Sequence, residues 1–117
     1  MLYMLLIYGN EAEWDTCSEA EQAAVMRGHR QLEEDLRKAD KYKTCDALEP
    51  TRAATTIRVR AGKTLVTDGP FAETKEQLSG FYLIEAKDVD EAIKIAARIP
   101  SARVGSVEVR PTIAPPA

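Results

Sequence analysis

The chain carries one histidine, His29, two cysteines, Cys17 and Cys45, and 19 carboxylate side chains. An imidazole titrates at about pH 6.5, so His29 is the first candidate for proton transfer at neutral pH. A carboxylate beside it would orient the ring or stabilise its cation. Asp68, which opens the run Asp68-Gly69-Pro70-Phe71, is the candidate for that task. Each residue also has a purely structural explanation. His29 falls in an apolar stripe, where a backbone carbonyl or a water would satisfy it. In the run from Asp68, the carboxylate accepts nearby amide hydrogens, Gly69 permits an unusual φ, Pro70 fixes the next step and Phe71 plugs the core, which together turn the chain. The alternative is that the thirteen residues from Asp68 to Gly80 form a binding loop, with Gly69, Pro70, Phe71, Glu73 and Lys75 at a ligand cleft or at a subunit contact.

The remaining reactive side chains point less far. Cys17 and Cys45 lack the spacing of a redox or zinc pair and have no activating neighbour in sequence, so neither metal binding nor thiol catalysis is expected. Arg58 and Arg60 lie on the polar side of an alternating segment, where carboxylate recognition competes with the gatekeeper charges of an edge strand. Trp14 and Tyr82 could stack on an aromatic ligand or simply pack.

These groups need a scaffold, and the pattern supplies one. Leu2 to Tyr8 is an unbroken apolar run closed by Gly9-Asn10, which reads as a central strand with both faces apolar. Ser18 with Glu21 forms a capping box, and Val25, His29, Leu32 and Leu36 mark one face of a helix to about Ala39, ended by Asp40 and Lys41 without the usual glycine. Cys45 to Pro50 is weakly patterned and reads as a short strand or an irregular connection. Thr55 to Arg60 and Lys63 to Thr67 make a half-buried hairpin turning at Ala61-Gly62. Phe81 to Glu85 is a strand, Asp88 with Glu91 opens a second helix to about Ile99, Pro100 stops it, and Ser106 to Arg110 is the last strand. Residues 1–110 form one domain and 111–117 a proline-rich tail.

A chain of 117 residues with 16 Lys+Arg, 19 Asp+Glu and a formal charge of −3 is one globular domain able to hold a core without staples. The mixed charge argues against nucleic acid and against polybasic membrane attachment. The apolar start lacks a basic flank, so a cytoplasmic protein is expected. Strand, helix, hairpin, strand, helix, strand predicts an α+β sandwich with a mainly antiparallel sheet and two helices on one face. The sheet's other face is then bare. A second copy is the simplest cover, so a homodimer is expected.

The run Asp68-Gly-Pro-Phe-Ala-Glu-Thr-Lys-Glu-Gln-Leu-Ser-Gly-Phe-Tyr-Leu-Ile-Glu85, the opening Tyr3 to Gly9, the strand Thr55 to Val59, Asp90-Glu-Ala92 and Ile99-Pro100 through Pro111 resemble the DGPF branch of the YCII-related proteins. That resemblance implies a cytoplasmic bacterial protein with a ferredoxin-like fold, assembled as a dimeric α+β barrel. Some relatives are associated with extracytoplasmic-function sigma factors. It also implies a proposed active pair, a histidine on the first helix and an aspartate just before a proline after the second. His29 matches the first position, whereas Ile99 precedes Pro100 and cannot exchange a proton. The reading that follows is a small organic ligand in a cleft between the first helix and the sheet, with His29 and Asp68 in cofactor-independent acid–base chemistry of isomerase or lyase type. A non-catalytic interaction module, engaging a partner such as a sigma factor, is the alternative.

Overall fold

The computed structural model describes residues 1–114. These form β1 (Leu2–Gly9), α1 (Glu11–Thr16), α2 (Glu19–Lys38), β2 (Tyr42–Ala47), β3 (Thr55–Arg60), β4 (Lys63–Asp68), β5 (Gln77–Glu85), α3 (Val89–Ala96) and β6 (Ser106–Pro111), with 3₁₀ turns at Thr51–Ala53 and Pro100–Arg103. Four strands make one antiparallel sheet in the order β2-β5-β1-β6. With α2 and α3 this is a ferredoxin-like βαββαβ motif, into which the hairpin β3-β4 is inserted as a separate two-stranded sheet. The α+β sandwich expected from the sequence is present. The single chain contains no closed barrel.

β1 is an inner strand because it can bury both faces. Tyr3, Leu5 and Ile7 are buried under the helices, and Leu2, Met4 and Leu6 lie half-buried on the opposite face. Leu32 and Leu36 from α2, Ala92, Ile95 and Ala96 from α3, and Ile99 close over Tyr3, Leu5, Ile7, Tyr82 and Ile84 as one core. Leu5, Leu32, Ile84 and Ile99 are the largest fully enclosed side chains, and truncating any of them to alanine costs about 2–5 kcal/mol. β6 meets β1 closely enough that a Cβ at Gly105 would run into the Tyr8 carbonyl oxygen, so the approach to β6 demands glycine.

The helix ends follow local chemistry. Ser18 Oγ accepts from the Glu21 amide while Glu21 Oε1 accepts from the Ser18 amide, completing the capping box of α2. At the other end the Lys41 amide donates to the Leu36 carbonyl and the Asp40 amide to the Arg37 carbonyl. This is a Schellman closure with Asp40, at φ 58°, in the left-handed position that glycine usually occupies. Asp88 caps α3 by accepting from the Glu91 amide.

Several expectations need correction. α1 was not foreseen. Asn10, read as the close of the first strand, is the N-cap of α1, its Oδ1 accepting from the Ala12 and Glu13 amides. The weakly patterned segment from Cys45, which left a short strand or an irregular connection open, holds the second half of a strand: β2 spans Tyr42–Ala47, starting three residues earlier. β5 starts at Gln77, which shortens the connection after β4 to residues 69–76. The hairpin is exposed on both faces instead of half-buried, because no helix packs on either side of it. Phe71 does not plug the core. It is 80% exposed. β6 includes Pro111, so the ordered sheet runs one residue into the proline-rich tail, whose residues 115–117 lie outside the described residues.

Candidate functional site

His29 sits in the middle of α2, one turn before Leu32, on the side turned to the sheet. Tyr82 occupies the helix-facing side of β5, alternating with Ile84. The two rings stack with centroids 5.9 Å apart and planes 16° apart. A hydrogen bond of 2.7 Å joins His29 Nδ1 to the Tyr82 hydroxyl. Burial lowers the pKa of His29 below its ordinary 6.5, so the ring is neutral at pH 7. Burial also raises that of the Tyr82 hydroxyl, which keeps its proton.

This pairing has chemical consequences. A phenol can donate to Nδ1, which leaves the proton on Nε2, or accept from Nδ1–H, which leaves Nε2 as a base. Either tautomer is therefore accommodated, and no fixed negative charge pulls the ring toward its cation. Among the described residues Nε2 has no hydrogen-bond partner.

His29 lines a cavity of about 390 Å³ at the end of the sheet where β1 and β2 finish and β5 and β6 begin. Trp14 and Cys17 from α1 and its exit, Val25 and Met26 from α2, Leu48 after β2 and Val104 before β6 form most of its walls. Polar groups come from Ser79 and Ser101, with Glu11, Glu13 and Asp15 along the α1 side. Glu11 is already engaged. Its carboxylate accepts from the Thr51 amide at 2.7 Å and hydroxyl at 2.8 Å, and its own amide donates to Gln77 Oε1 at 3.0 Å. The first residue of α1 thus ties the cavity wall to both chain segments flanking the hairpin.

The structure brings together only part of the predicted set. His29 and Trp14 line the cavity. Asp68 does not line it: it ends β4 opposite Thr55, and the His29 ring is held by Tyr82 instead. Gly69, Pro70, Phe71, Glu73 and Lys75 also lie outside the cavity lining, in the segment between the hairpin and β5. Tyr82 was visible in sequence only as a stacking aromatic. Its position two residues before the buried Ile84 was the available sign that its ring faces the helices.

A second polar cluster lies at the β2 edge. The Tyr42 hydroxyl donates to Cys45 Sγ at 3.4 Å, Cys45 Sγ donates to Glu33 Oε1 at 3.6 Å, and the Arg37 guanidinium stands 4.1 Å over the Tyr42 ring. Burial pushes the Cys45 thiol pKa upward, which keeps it protonated and a poor nucleophile. Cys17 and Cys45 are both free. Among the described residues no group of three or more His, Cys, Asp or Glu side chains could hold a metal ion, and no helix is long and apolar enough to cross a membrane.

The geometry defines a ferredoxin-like α+β subunit with a histidine-lined cavity at one end of its sheet. Comparison with known proteins supplies the family. The YCII-related domain matches residues 1–114, and an uncharacterized protein of Rhizobium meliloti (strain 1021) is 45% identical over 113 residues, covering 95% of this chain and 91% of the relative. The chain belongs to the YCII-related family.

Proposed function

We propose that this chain is a cytoplasmic bacterial protein of the DGPF branch that works as a homodimer, binds a small organic molecule in the cavity beside His29 and exchanges a proton with it without a cofactor. The observation carrying this reading is the neutral imidazole, held at Nδ1 by a phenol and bordering a cavity with mainly apolar walls. Such a site suits an uncharged, largely apolar compound with a carbonyl or hydroxyl group near Nε2, and an isomerase- or lyase-like step. Tyr82 orients the ring, the task that the sequence alone gave to Asp68. Because the phenol bonds either tautomer, Nε2 can take a proton in one half of a reaction and return it in the other. The exposed hairpin favours a second reading, an interaction module for a protein partner such as a sigma factor, in which the cavity has no ligand.

The test is a fragment screen of small aromatic and carbonyl compounds, read by NMR at the His29 and Trp14 side chains. Binding that shifts both, and that weakens about tenfold or more in His29→Gln, supports the site. Binding untouched by that substitution removes His29 from its role, and a screen without any response at these side chains favours the interaction module.

A further inference from the structure

The hydrogen bond between His29 Nδ1 and the Tyr82 hydroxyl accommodates both neutral forms of the ring, but the two forms differ in where the phenol's own hydrogen goes. With the proton on Nδ1, the ring donates to the phenol oxygen and the phenol must find another acceptor. With the proton on Nε2, the phenol donates to Nδ1 and both groups are satisfied.

Tyr82 has no second acceptor. It is 3% exposed and is not among the residues lining the cavity, which leaves solvent little approach from either side. Two polar side chains stand near it. Cys45 lies directly across the β2–β5 ladder from Tyr82, and Glu33 lies one turn beyond His29 on α2. Both are engaged with other groups. Cys45 Sγ accepts from the Tyr42 hydroxyl at 3.4 Å and donates to Glu33 Oε1 at 3.6 Å, and Glu33 pairs with Arg37 at 3.6 Å. Among the described residues the Tyr82 hydroxyl bonds His29 alone. A buried donor without an acceptor loses its hydration and gains nothing in return, which disfavours the Nδ1–H form by about tenfold or more.

The other ring nitrogen meets the cavity. His29 is a lining residue and Tyr82 is not, so Nε2 is the nitrogen that a ligand can reach. The rest of the polar lining sorts ligands by charge. Ser79 and Ser101 are neutral, Glu11, Glu13 and Asp15 are acidic, and no lysine or arginine lines the cavity among the described residues. An anion finds no countercharge there, and an ammonium group would turn its hydrogens toward the hydrogen on Nε2.

We infer that Tyr82 fixes His29 as the Nε2–H tautomer, so that the cavity offers a neutral hydrogen-bond donor and selects an uncharged carbonyl compound whose oxygen sits on Nε2–H. This rests on the ligand site proposed above and narrows its substrate class, with Tyr82 as the positioning residue. A carbonyl oxygen accepts a hydrogen bond without having one to donate. Negative charge that builds on that oxygen during a reaction meets a dipole already aimed at it. Burial keeps the ring from becoming a cation at neutral pH, so the donor stays neutral.

Long-range ¹H–¹⁵N NMR of the ligand-free full chain at neutral pH reads the tautomer of the single histidine, in the wild type and in Tyr82→Phe. The expected result is about nine-tenths or more Nε2–H in the wild type, with a ratio about threefold or more closer to even in the variant. A wild type that is mainly Nδ1–H, or near an even mixture, overturns the inference, as does a folded variant with the wild-type ratio. Should the variant not fold, a coupling across the hydrogen bond from the Tyr82 hydroxyl proton to Nδ1 in the wild type decides the matter, and its absence counts against the inference. The ligand class is tested with acetophenone, 1-phenylethylammonium and benzoate, which share one ring and differ in the polar end. Acetophenone should bind about tenfold or more tighter than either ion and shift the Nε2 signal. Tighter binding of an ion overturns the carbonyl assignment and leaves the tautomer standing. No binding by any of the three, in a protein with the expected tautomer, overturns the ligand site itself.

Discussion

His29 and Tyr82 meet because residue 29 falls on the sheet-facing side of α2 and residue 82 on the helix-facing side of β5. They are 53 positions apart, and only the packing of helix on sheet brings the rings to stacking distance. Sequence could mark His29 as the sole imidazole on an apolar stripe, but it favoured a carboxylate partner on chemical grounds. The structure places Asp68 at the end of β4, in the hairpin. The sign of the pH response follows from burial. An unfolded chain protonates its histidine as pH falls through about 6.5, while the folded ring, with its pKa lowered by desolvation, protonates only at lower pH. The contribution of the neutral ring to stability is therefore complete above about pH 6.5 and is lost as pH falls from there toward the folded pKa. Urea unfolding should show the wild type losing more stability than His29→Gln across that window, with the carboxylates common to both. A difference between the two proteins that stays flat with pH would refute the buried neutral ring. Tyr82→Phe should cost about 1 kcal/mol for the lost hydrogen bond, yet leave the His29 pKa below 6.5, because desolvation and not the hydroxyl lowers it.

Among the elements, those with strong local chemistry were legible. The Ser18 capping box, the Asp88 cap, the hairpin turn and the alternation of β3 each state their structure within a few residues. In the turn, Ala61 and Gly62 both take positive φ, 52° and 75°, as the mirror-image turn of a tight hairpin requires. Elements that depend on distant partners were not legible. α1 spans six residues, too few for a helical period to show, and its Asn10 cap was absorbed into the end of the first strand. β2 is an edge strand whose inward side shows only Tyr42 and Cys45 half-buried, so it lacks a run of apolar residues. The end of α2 supplies a quantitative check. Asp40 closes a Schellman motif at φ 58°, a conformation that costs most side chains about 1–2 kcal/mol and glycine nothing. Asp40→Gly should therefore stabilise the fold by about 0.5–1 kcal/mol after the extra entropy of an unfolded glycine is counted. Thermal or urea unfolding reads this directly, and a destabilised variant would mean that the aspartate makes a compensating interaction.

At the scale of the molecule the shape is a thin plate, 49 × 48 × 19 Å, with helices on one side of the main sheet and the hairpin β3-β4 as a separate two-stranded sheet. The cavity opens at the sheet end from which the hairpin departs, and Tyr8 connects the surfaces there: it lines the cavity, and its hydroxyl lies 3.5 Å from Glu108 Oε1 on β6. Covering the bare face would therefore close space next to the cavity as well as remove Met4, Leu6, Phe81 and Leu83 from water. This gives the proposed pairing of copies a direct test. Leu83 contributes nothing to the enclosed core on the helix side, so Leu83→Asp should leave the subunit folded. A carboxylate in the middle of a buried seam, however, would be desolvated without a partner, at a cost of several kcal/mol per copy, and the dimer would contain two. The expected outcome is a folded monomer at micromolar concentration by sedimentation, with native helical signal and the low His29 pKa retained by NMR. A variant that still dimerises as the wild type does would show that the contact lies elsewhere and that this face meets water in the working protein.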